Sequence, residues 1–459
     1  MNVVFFLIVA TSFTVTAVRQ LLWTGAAAGA TGKAALSPMA ALGQGMMDQA
    51  QASVTLAIGL IGVMALFLGL MKVAEAGGLL VIIARTIRPL MTRLFPEVPA
   101  DHPAMGAMIL NFSANVLGLG NAATPFGIRA MQELDKLNPV KGTASNAMVL
   151  FLAINTSSIT ILPTGVIALR AAAGSVDPAA IVPTTLFATI CSTTVAIIAA
   201  KFYQRLSPVV PPVTIEAPPP VGPGDTAFGD PDPSVQSDLA QSDLDKSGLK
   251  EDWKGAEGEG YPAWVSALVL AGIVALIPIT VFWGRAISPW IIPGLMMALL
   301  GFGFARRVPV YESFVDGARD GFNVAVRIIP YLVAILVAVA MLRSSGALEF
   351  FISLIGPVTA TAGLPAEALP MALLRPLSGS GAYGVLASII NDPAIGPDSY
   401  VGLLVSTLQG STETTFYVLA VYFGAVQVKR IRHGLAAGLT ADVAGIAAAV
   451  VICLLLFAP

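Results

Sequence analysis

Apolar residues fill this chain in long blocks, and the blocks differ mainly in where polar residues interrupt them. Residues 1–18 and 52–71 are uninterrupted and approach the ~20 apolar residues a helix needs to cross a bilayer. No Lys or Arg precedes the first block and no clean small-residue cleavage site follows it, so it reads as a retained membrane helix, with a removed signal peptide the alternative. Residues 78–95 switch to an amphipathic pattern, with Arg85, Arg88 and Arg93 set among Leu, Ile and Met, as in a helix lying along a membrane surface. Pro96, Pro99 and Pro103 close that segment. Residues 105–116 re-enter the apolar phase and turn back through Leu117-Gly118-Leu119-Gly120-Asn121-Ala122-Ala123-Thr124-Pro125-Phe126-Gly127. Glycines allow the tight turn and Pro125 suits the first turn of the returning helix, so a re-entrant hairpin is predicted.

The next block, residues 144–169, is broken in its middle at Asn155-Thr156-Ser157-Ser158, and residues 181–203 complete a first half. The second half offers spans at 264–283, 290–305 and 324–342, then residues 346–362 leading to Pro365 and Pro370. Residues 371–390 hold Arg375-Pro376-Leu377-Ser378-Gly379-Ser380-Gly381-Ala382-Tyr383-Gly384, a second glycine-rich tip. Apolar runs 400–408 and 416–426 flank Gln409-Gly410-Ser411-Thr412-Glu413-Thr414-Thr415, and residues 434–457, which carry Asp442, end the series. A lipid-facing helix does not tolerate seven such residues at its centre. Polar backbone at membrane depth must be buried in protein or line a wet cavity, which makes the break at 409–415 a candidate site.

The halves repeat. Gly78-Leu79-Leu80 with Pro89 and Pro96 matches Gly346-Ala347-Leu348 with Pro357 and Pro365; the tips and the broken spans match in the same order. One span precedes the first copy and six precede the second, an odd difference that inverts the second copy, as in many secondary transporters. Lys and Arg support this: Lys72, Arg85, Arg88, Arg93, Arg129, Lys136, Lys141, Lys201, Arg205, Arg306, Arg307, Arg319, Lys429, Arg430 and Arg432 fall on one side, whereas Lys33, Arg170, Arg285 and Arg343 fall on the other. The N-terminus is thereby expected in the cytoplasm and the C-terminus outside. Residues 207–262 shift to Pro, Gly, Ser, Asp and Glu, which cannot bury enough apolar surface to fold, so a disordered cytoplasmic linker is expected between halves 1–206 and 263–459.

Composition narrows the class. Hydrophobic residues make up 56% and charged residues 11%, against about 25% charged in ordinary soluble domains, so a polytopic all-α membrane protein is expected. A net charge of −2 with no basic face gives no reason to expect nucleic acid as a partner. Cys191 and Cys453 lie in apolar segments and read as packing residues, and His102 and His433 have no partners at metal-ligand spacing, so no metal is assigned. There is no phosphate-binding loop, His-Glu-x-x-His or Gly-x-Ser-x-Gly motif, so no catalytic residue and no organic cofactor is assigned.

The candidate contacts for a solute or a coupling ion, H⁺ or Na⁺, come from the tips and breaks. They are Asn121 and Thr124 at the first tip, Ser378 and Ser380 at the second, Asn155, Thr156 and Ser157 at the first break, and Gln409, Ser411, Thr412 and Glu413 at the second. Gly118, Gly120, Gly379 and Gly381 are the hairpin glycines, and Arg375 and Asp442 are candidate charge-partner or coupling residues. The plainer alternative is that the Ser and Thr hydroxyls bond their own helices and the glycines serve close packing.

The segments Gly118-Leu119-Gly120-Asn121-Ala122-Ala123-Thr124-Pro125 and Gly127-Ile128-Arg129-Ala130-Met131 resemble spore maturation protein A. Gln409-Gly410-Ser411-Thr412-Glu413-Thr414-Thr415-Phe416-Tyr417, with Val421-Tyr422-Phe423-Gly424-Ala425, resembles spore maturation protein B. The resemblance covers nearly everything but the linker, so the chain looks like a fusion of the two. Both are similar to the nucleoside-recognition, or Gate, group, which also includes parts of concentrative nucleoside transporters and of the ferrous-iron transporter. That resemblance implies a transport-like fold. With the two inverted repeats and re-entrant hairpins read above, an elevator-type secondary transporter of a small polar solute, such as a nucleoside, amino acid or related metabolite, is expected in a bacterial inner membrane. A homo-oligomer is left open. The alternative it implies is a non-transporting membrane scaffold in envelope or spore maturation.

Overall fold

The computed structural model describes residues 2–23, 36–118, 120–207, 260–347, 350, 353–354 and 359–457. Among the described residues its regular structure is helical, and it is a multi-pass membrane protein. Among the described residues three helices have both the length and the apolarity to cross a bilayer, within 38–76, 178–206 and 434–457. The first half contains α1 (Asn2–Leu21), α2 (Pro38–Ala76), α3 (Leu79–Leu94), α4 (Pro103–Val116), α5 (Gly120–Lys136), α6 (Asn146–Thr156), α7 (Thr164–Ala172) and α8 (Val182–Leu206). The second contains α9 (Ala263–Ala305), α10 (Val310–Ser344), α11 (Leu369–Leu374), α12 (Gly379–Ile390), α13 (Tyr400–Ser411), α14 (Thr415–Gly424) and α15 (Gly434–Phe457).

Local chemistry accounts for five of the helix starts. Ser37, Ser145, Ser378 and Ser399 each accept a backbone N–H of the first turn, and Pro38 and Pro103 occupy first helical positions where no donor is lost. α3 is amphipathic, burying Leu80, Ala84 and Met91 while Arg93 stays exposed. Gly78 and Gly346, matched in the sequence repeat, both turn at positive φ, +79° and +78°.

Two expectations change. Spans at 264–283 and 290–305 are one helix, α9, whose backbone stays helical through Arg285 and Pro289. At 1.5 Å per residue its 43 residues reach about 64 Å, roughly twice a ~30 Å hydrocarbon layer, so it is one long element and not two crossings. The break expected near Gly284 fails because a Pro inside a membrane helix can be accommodated by neighbours and local backbone adjustment. Likewise the span expected at 52–71 begins earlier, as residues 38–51 belong to the same 39-residue α2. The linker at 208–259 and much of the segment at 346–362 lie outside the described residues.

Three elements of the first half pack antiparallel against elements of the second. α2 and α10 approach so closely that a Cβ on Gly317 would sit 2.4 Å from the Leu68 carbonyl oxygen and one on Gly321 2.6 Å from Ala65 Cα. Farther along, Gly45 abuts Ser344, so the helices are antiparallel. α8 and α15 are antiparallel too: Tyr203 bonds Thr440 at 3.2 Å, and Ser192 donates to the Ala441 carbonyl at 2.8 Å while lying beside Gly445. The broken pair α6–α7 crosses α13–α14 in the same sense. Arg170 meets Asp398 at 2.9 Å, Glu413 N–H donates to Thr156 O at 2.9 Å, and Ala144 N–H donates to Arg430 O at 2.9 Å. Arg170 is fully buried yet satisfied, donating also to Ser406 and to the Asp177 and Pro178 carbonyls, which locks the end of α7 onto the start of α13.

Candidate functional site

Four helix interruptions meet around one cavity of about 200 Å³. The turn from α4 to α5 supplies Asn115 and Gly118, and the gap between α6 and α7 supplies Thr160, Leu162, Pro163 and Thr164. The turn from α11 to α12 supplies Arg375, Gly379 and Tyr383, and the gap between α13 and α14 supplies Gln409, Gly410 and Glu413.

Each interruption has a cause in its residues. Asn155 through Ser158 can bond their own backbone in place of continuing a helix, and Pro163 lacks a donor, so α6 stops at Thr156 and α7 begins only at Thr164. α13 stops at Ser411 because Thr412 is extended, φ −140° and ψ 163°, and Thr414 is also extended. Such bare backbone at membrane depth requires partners. The first break finds one in its own hairpin, Ile161 N–H donating to Val116 O at 3.1 Å; the second does the same, Phe416 N–H donating to Pro376 O at 3.1 Å. Glu413 N–H to Thr156 O then ties break to break.

Arg375 is the pivot. It caps α11, its side chain is only 6% exposed, and it donates to the Thr412 carbonyl and, at 3.2 Å, to Thr414 Oγ1. The same guanidinium faces Glu413 Oε2 at 3.5 Å, while the Glu413 side chain is 52% exposed on the cavity side. Arg375 Nε and Gln409 Oε1 are buried without a hydrogen-bond partner. One fixed cation, one half-exposed carboxylate and two unpartnered polar atoms thus stand together, in a setting where intramembrane charges are expensive.

Gly118 and Gly379 let the backbones approach. A Cβ on Gly118, at φ +75°, would lie 2.7 Å from the Leu162 carbonyl oxygen; one on Gly379 would lie 2.9 Å from Thr414 Oγ1.

Of the residues expected at the site, Gln409, Glu413, Arg375, Gly118 and Gly379 line the cavity. Several others are spent on structure. Thr156 and Ser157 hydroxyls both donate to the Ala153 carbonyl at 2.9 Å, Ser411 donates to Leu408 O, and Ser378 caps α12 by accepting Gly381 N–H. Asn155 is one shell back, its Oδ1 accepting Asn115 Nδ2 at 3.0 Å, and thereby orients a cavity residue. Thr412 contributes its carbonyl and not its hydroxyl. Gly381 packs on Ser378, Ser380 and Thr124 are half-buried, and the side chains of residues 120–122, hence Gly120 and Asn121, lie outside the described residues. Asp442 sits behind the second break, accepting from Thr415 Oγ1 at 2.7 Å. Sequence reading missed Asn115, Thr160, Thr164 and Tyr383. Each stands within a few residues of a recognised break, which was the available signal.

Comparison with known proteins fits this architecture. The nucleoside-recognition family model, Gate, matches residues 57–173 and 325–429, the stretches that hold the hairpins and broken helices. Spore maturation protein B of Bacillus subtilis is 48% identical over 166 residues, 36% of this chain and 92% of that protein; spore maturation protein A of the same organism is 50% identical over 157 residues, 34% and 80%. The chain belongs to the spore maturation family of Gate-domain membrane proteins. Its two halves correspond to these two relatives, as in a fusion. A third relative of the Gate-domain protein, inner membrane protein YjiG of Escherichia coli K12, is 36% identical over 107 residues, 23% of this chain and 70% of that one. Among solved structures, the Alcanivorax borkumensis YdaH transporter aligns over 98% of this chain and 97% of its own, at 15% identity and a TM-score of 0.32.

Proposed function

We propose that this Gate-domain protein is a secondary transporter of a small polar solute, a nucleoside, amino acid or related metabolite, in a bacterial inner membrane. The observation that supports this most is the convergence of two hairpin tips and two helix breaks on one cavity holding Arg375 and Glu413. Broken helices meeting near a midplane are the usual architecture of solute and ion sites in such transporters. The halves act as inverted repeats, 1–206 resembling protein A and 263–459 resembling protein B. With α9 a single element the count of preceding spans no longer has odd parity; support for inversion comes instead from the antiparallel pairing of α2 with α10, α8 with α15, and α6–α7 with α13–α14. The hairpins and broken helices would move together against α2, α9 and α10 as an elevator, with alternating access to the cavity. The names of the two Bacillus relatives favour one second reading, a membrane scaffold for spore maturation that moves nothing.

Gly379→Val separates the two. Its side chain would collide with Thr414 Oγ1 and enter the cavity, so solute-induced thermal stabilisation and uptake into proteoliposomes should fall at least tenfold while the amount of inserted protein stays near that of the parent. A screen of nucleosides, amino acids and peptides supplies the solute. Parent-like uptake by this variant would remove the cavity from consideration.

The two-half arrangement has its own test. Coexpressed separate chains 1–206 and 263–459 should copurify, because the α2–α10, α8–α15 and broken-helix contacts all cross between halves, whereas either half alone should be degraded. Failure to copurify, with both halves inserted, would assign the linker a structural role.

The N-terminus and linker are expected in the cytoplasm from the Lys and Arg excess of the first half. A reporter inserted between residues 220 and 240 should be active only on the cytoplasmic face, following the Lys and Arg excess there; activity on the outer face would reverse the assignment.

A further inference from the structure

Behind the second break, on the side away from the cavity, lies a buried acid that the solute site does not use. Asp442 of α15 is 2% exposed, and its Oδ2 pairs with Thr415 Oγ1 at 2.7 Å. Its Oδ1 is buried without any partner. Among the described residues no basic group bonds it, and Arg375 is already engaged by Glu413, Thr412 and Thr414.

The groups around it are otherwise hydroxyls. Thr156 of α6 and Thr415 stand against Gly438 one turn earlier, and Ser192 of α8 and Thr412 stand against Gly445 one turn later. Most titratable side chains on the packed elements bond elsewhere: Lys201 of α8 to the Leu94 carbonyl and Tyr203 to Thr440, Tyr400 of α13 to the Gly363 carbonyl, Tyr422 of α14 to Asn111, and Cys453, farther along α15, to Thr407 of α13. Cys191 and Arg205 of α8 and Tyr417 of α14 share these elements. His433 stands at the start of α15.

An ionised carboxylate in such a place has neither countercharge nor a full set of donors, and a buried charge of that kind neutralises itself. A proton does this without needing room, which matters because Oδ1 has no open space beside it; a metal ion would need both space and several oxygen ligands. Protonated on Oδ2, the acid donates to Thr415 Oγ1 across the same 2.7 Å contact, and the unpartnered Oδ1 is then a neutral carbonyl oxygen, a far smaller penalty.

We propose that Asp442 is a proton-carrying carboxylate, protonated in the conformation described here and placed to release its proton when the break at residues 412–415 moves. The connection is covalent and short. Glu413 faces the cavity and Arg375, Thr414 accepts from Arg375, and Thr415 holds Asp442, so three consecutive residues join the solute site to the acid. The protonation stands by itself; its use in driving solute movement rests on the transport reading above.

Infrared difference spectroscopy on the full chain in nanodiscs at neutral pH tests the first statement without any solute. The expected result is a protonated-carboxyl C=O band that shifts in D₂O, disappears in Asp442→Asn, and persists in Glu413→Gln. Thr415→Val, which keeps shape and removes only the hydroxyl, should move the band without abolishing it, and it serves as the readout where Asp442→Asn does not fold. Absence of the band in the parent, its survival in Asp442→Asn, or an unmoved band in Thr415→Val overturns the proposal. Loss of the band on adding Na⁺ at constant pH also overturns it, in favour of a cation site. A band that behaves as expected in a protein that takes up no solute would uphold the acid and sink only the coupling.

Discussion

Replacing Arg375 by Met should abolish solute binding and lower stability by about 3–5 kcal/mol, the scale for removing one partner from a buried charge network. The side chain that disappears is 6% exposed and holds the second break closed by donating to the Thr412 carbonyl and to Thr414. Met fills similar volume, so the loss is one of donors and charge, not packing. Thr412 O would then be a bare carbonyl at membrane depth, and Glu413 would lose its cation. Arg375→Lys separates fold from site: it keeps the charge but not the planar fork that reaches two acceptors and Glu413 together. Thermal unfolding in nanodiscs should recover by half or more in the Lys variant, while solute affinity stays at least tenfold weaker than in the parent. Equal recovery of both would mean that Arg375 merely balances charge.

The breaks were legible in the sequence and their inner wiring was not. Asn155 to Ser158 and Gln409 to Thr415 announce themselves because polar residues at the centre of an apolar run have few physical explanations. Which polar atoms face the cavity depends on side-chain direction, and that is decided locally. Thr156, Ser157 and Ser411 found helix carbonyls three or four residues back, the ordinary fate of hydroxyls in membrane helices, and so left the cavity to Asn115, Thr160, Thr164 and Tyr383. The repeat was legible from punctuation alone, Gly78 with Gly346 and tip with tip. The span count was not, because α9 runs through a Gly-Arg pair and a proline that look like a boundary. Arg375 and Glu413 could be named from sequence as a pair, but Asp442 could be separated from them only once Thr415 was seen to turn away from the cavity.

That separation gives Glu413→Gln a sharper outcome than either carboxylate alone would allow. Glu413 is anchored by its backbone N–H to Thr156 O, and its side chain, 52% exposed, meets Arg375 at 3.5 Å. A half-exposed pair at that distance contributes about 1 kcal/mol or less to stability, so the variant should fold and unfold almost as the parent does. Arg375 keeps Thr412 and Thr414, and Gln preserves the shape of the cavity wall. What changes is the charge presented to the solute, and the loss of one charged contact, about 1.4 kcal/mol, corresponds to roughly tenfold in affinity. For a solute carrying an amine the expected result is therefore a tenfold higher KM with pH dependence of uptake retained, since the proton resides on Asp442. Asp442→Asn should do the reverse, flattening the pH dependence while leaving solute binding nearly intact. If Glu413→Gln instead erases the pH dependence and Asp442→Asn leaves it unchanged, the two carboxylates exchange roles, and the break couples through the cavity itself.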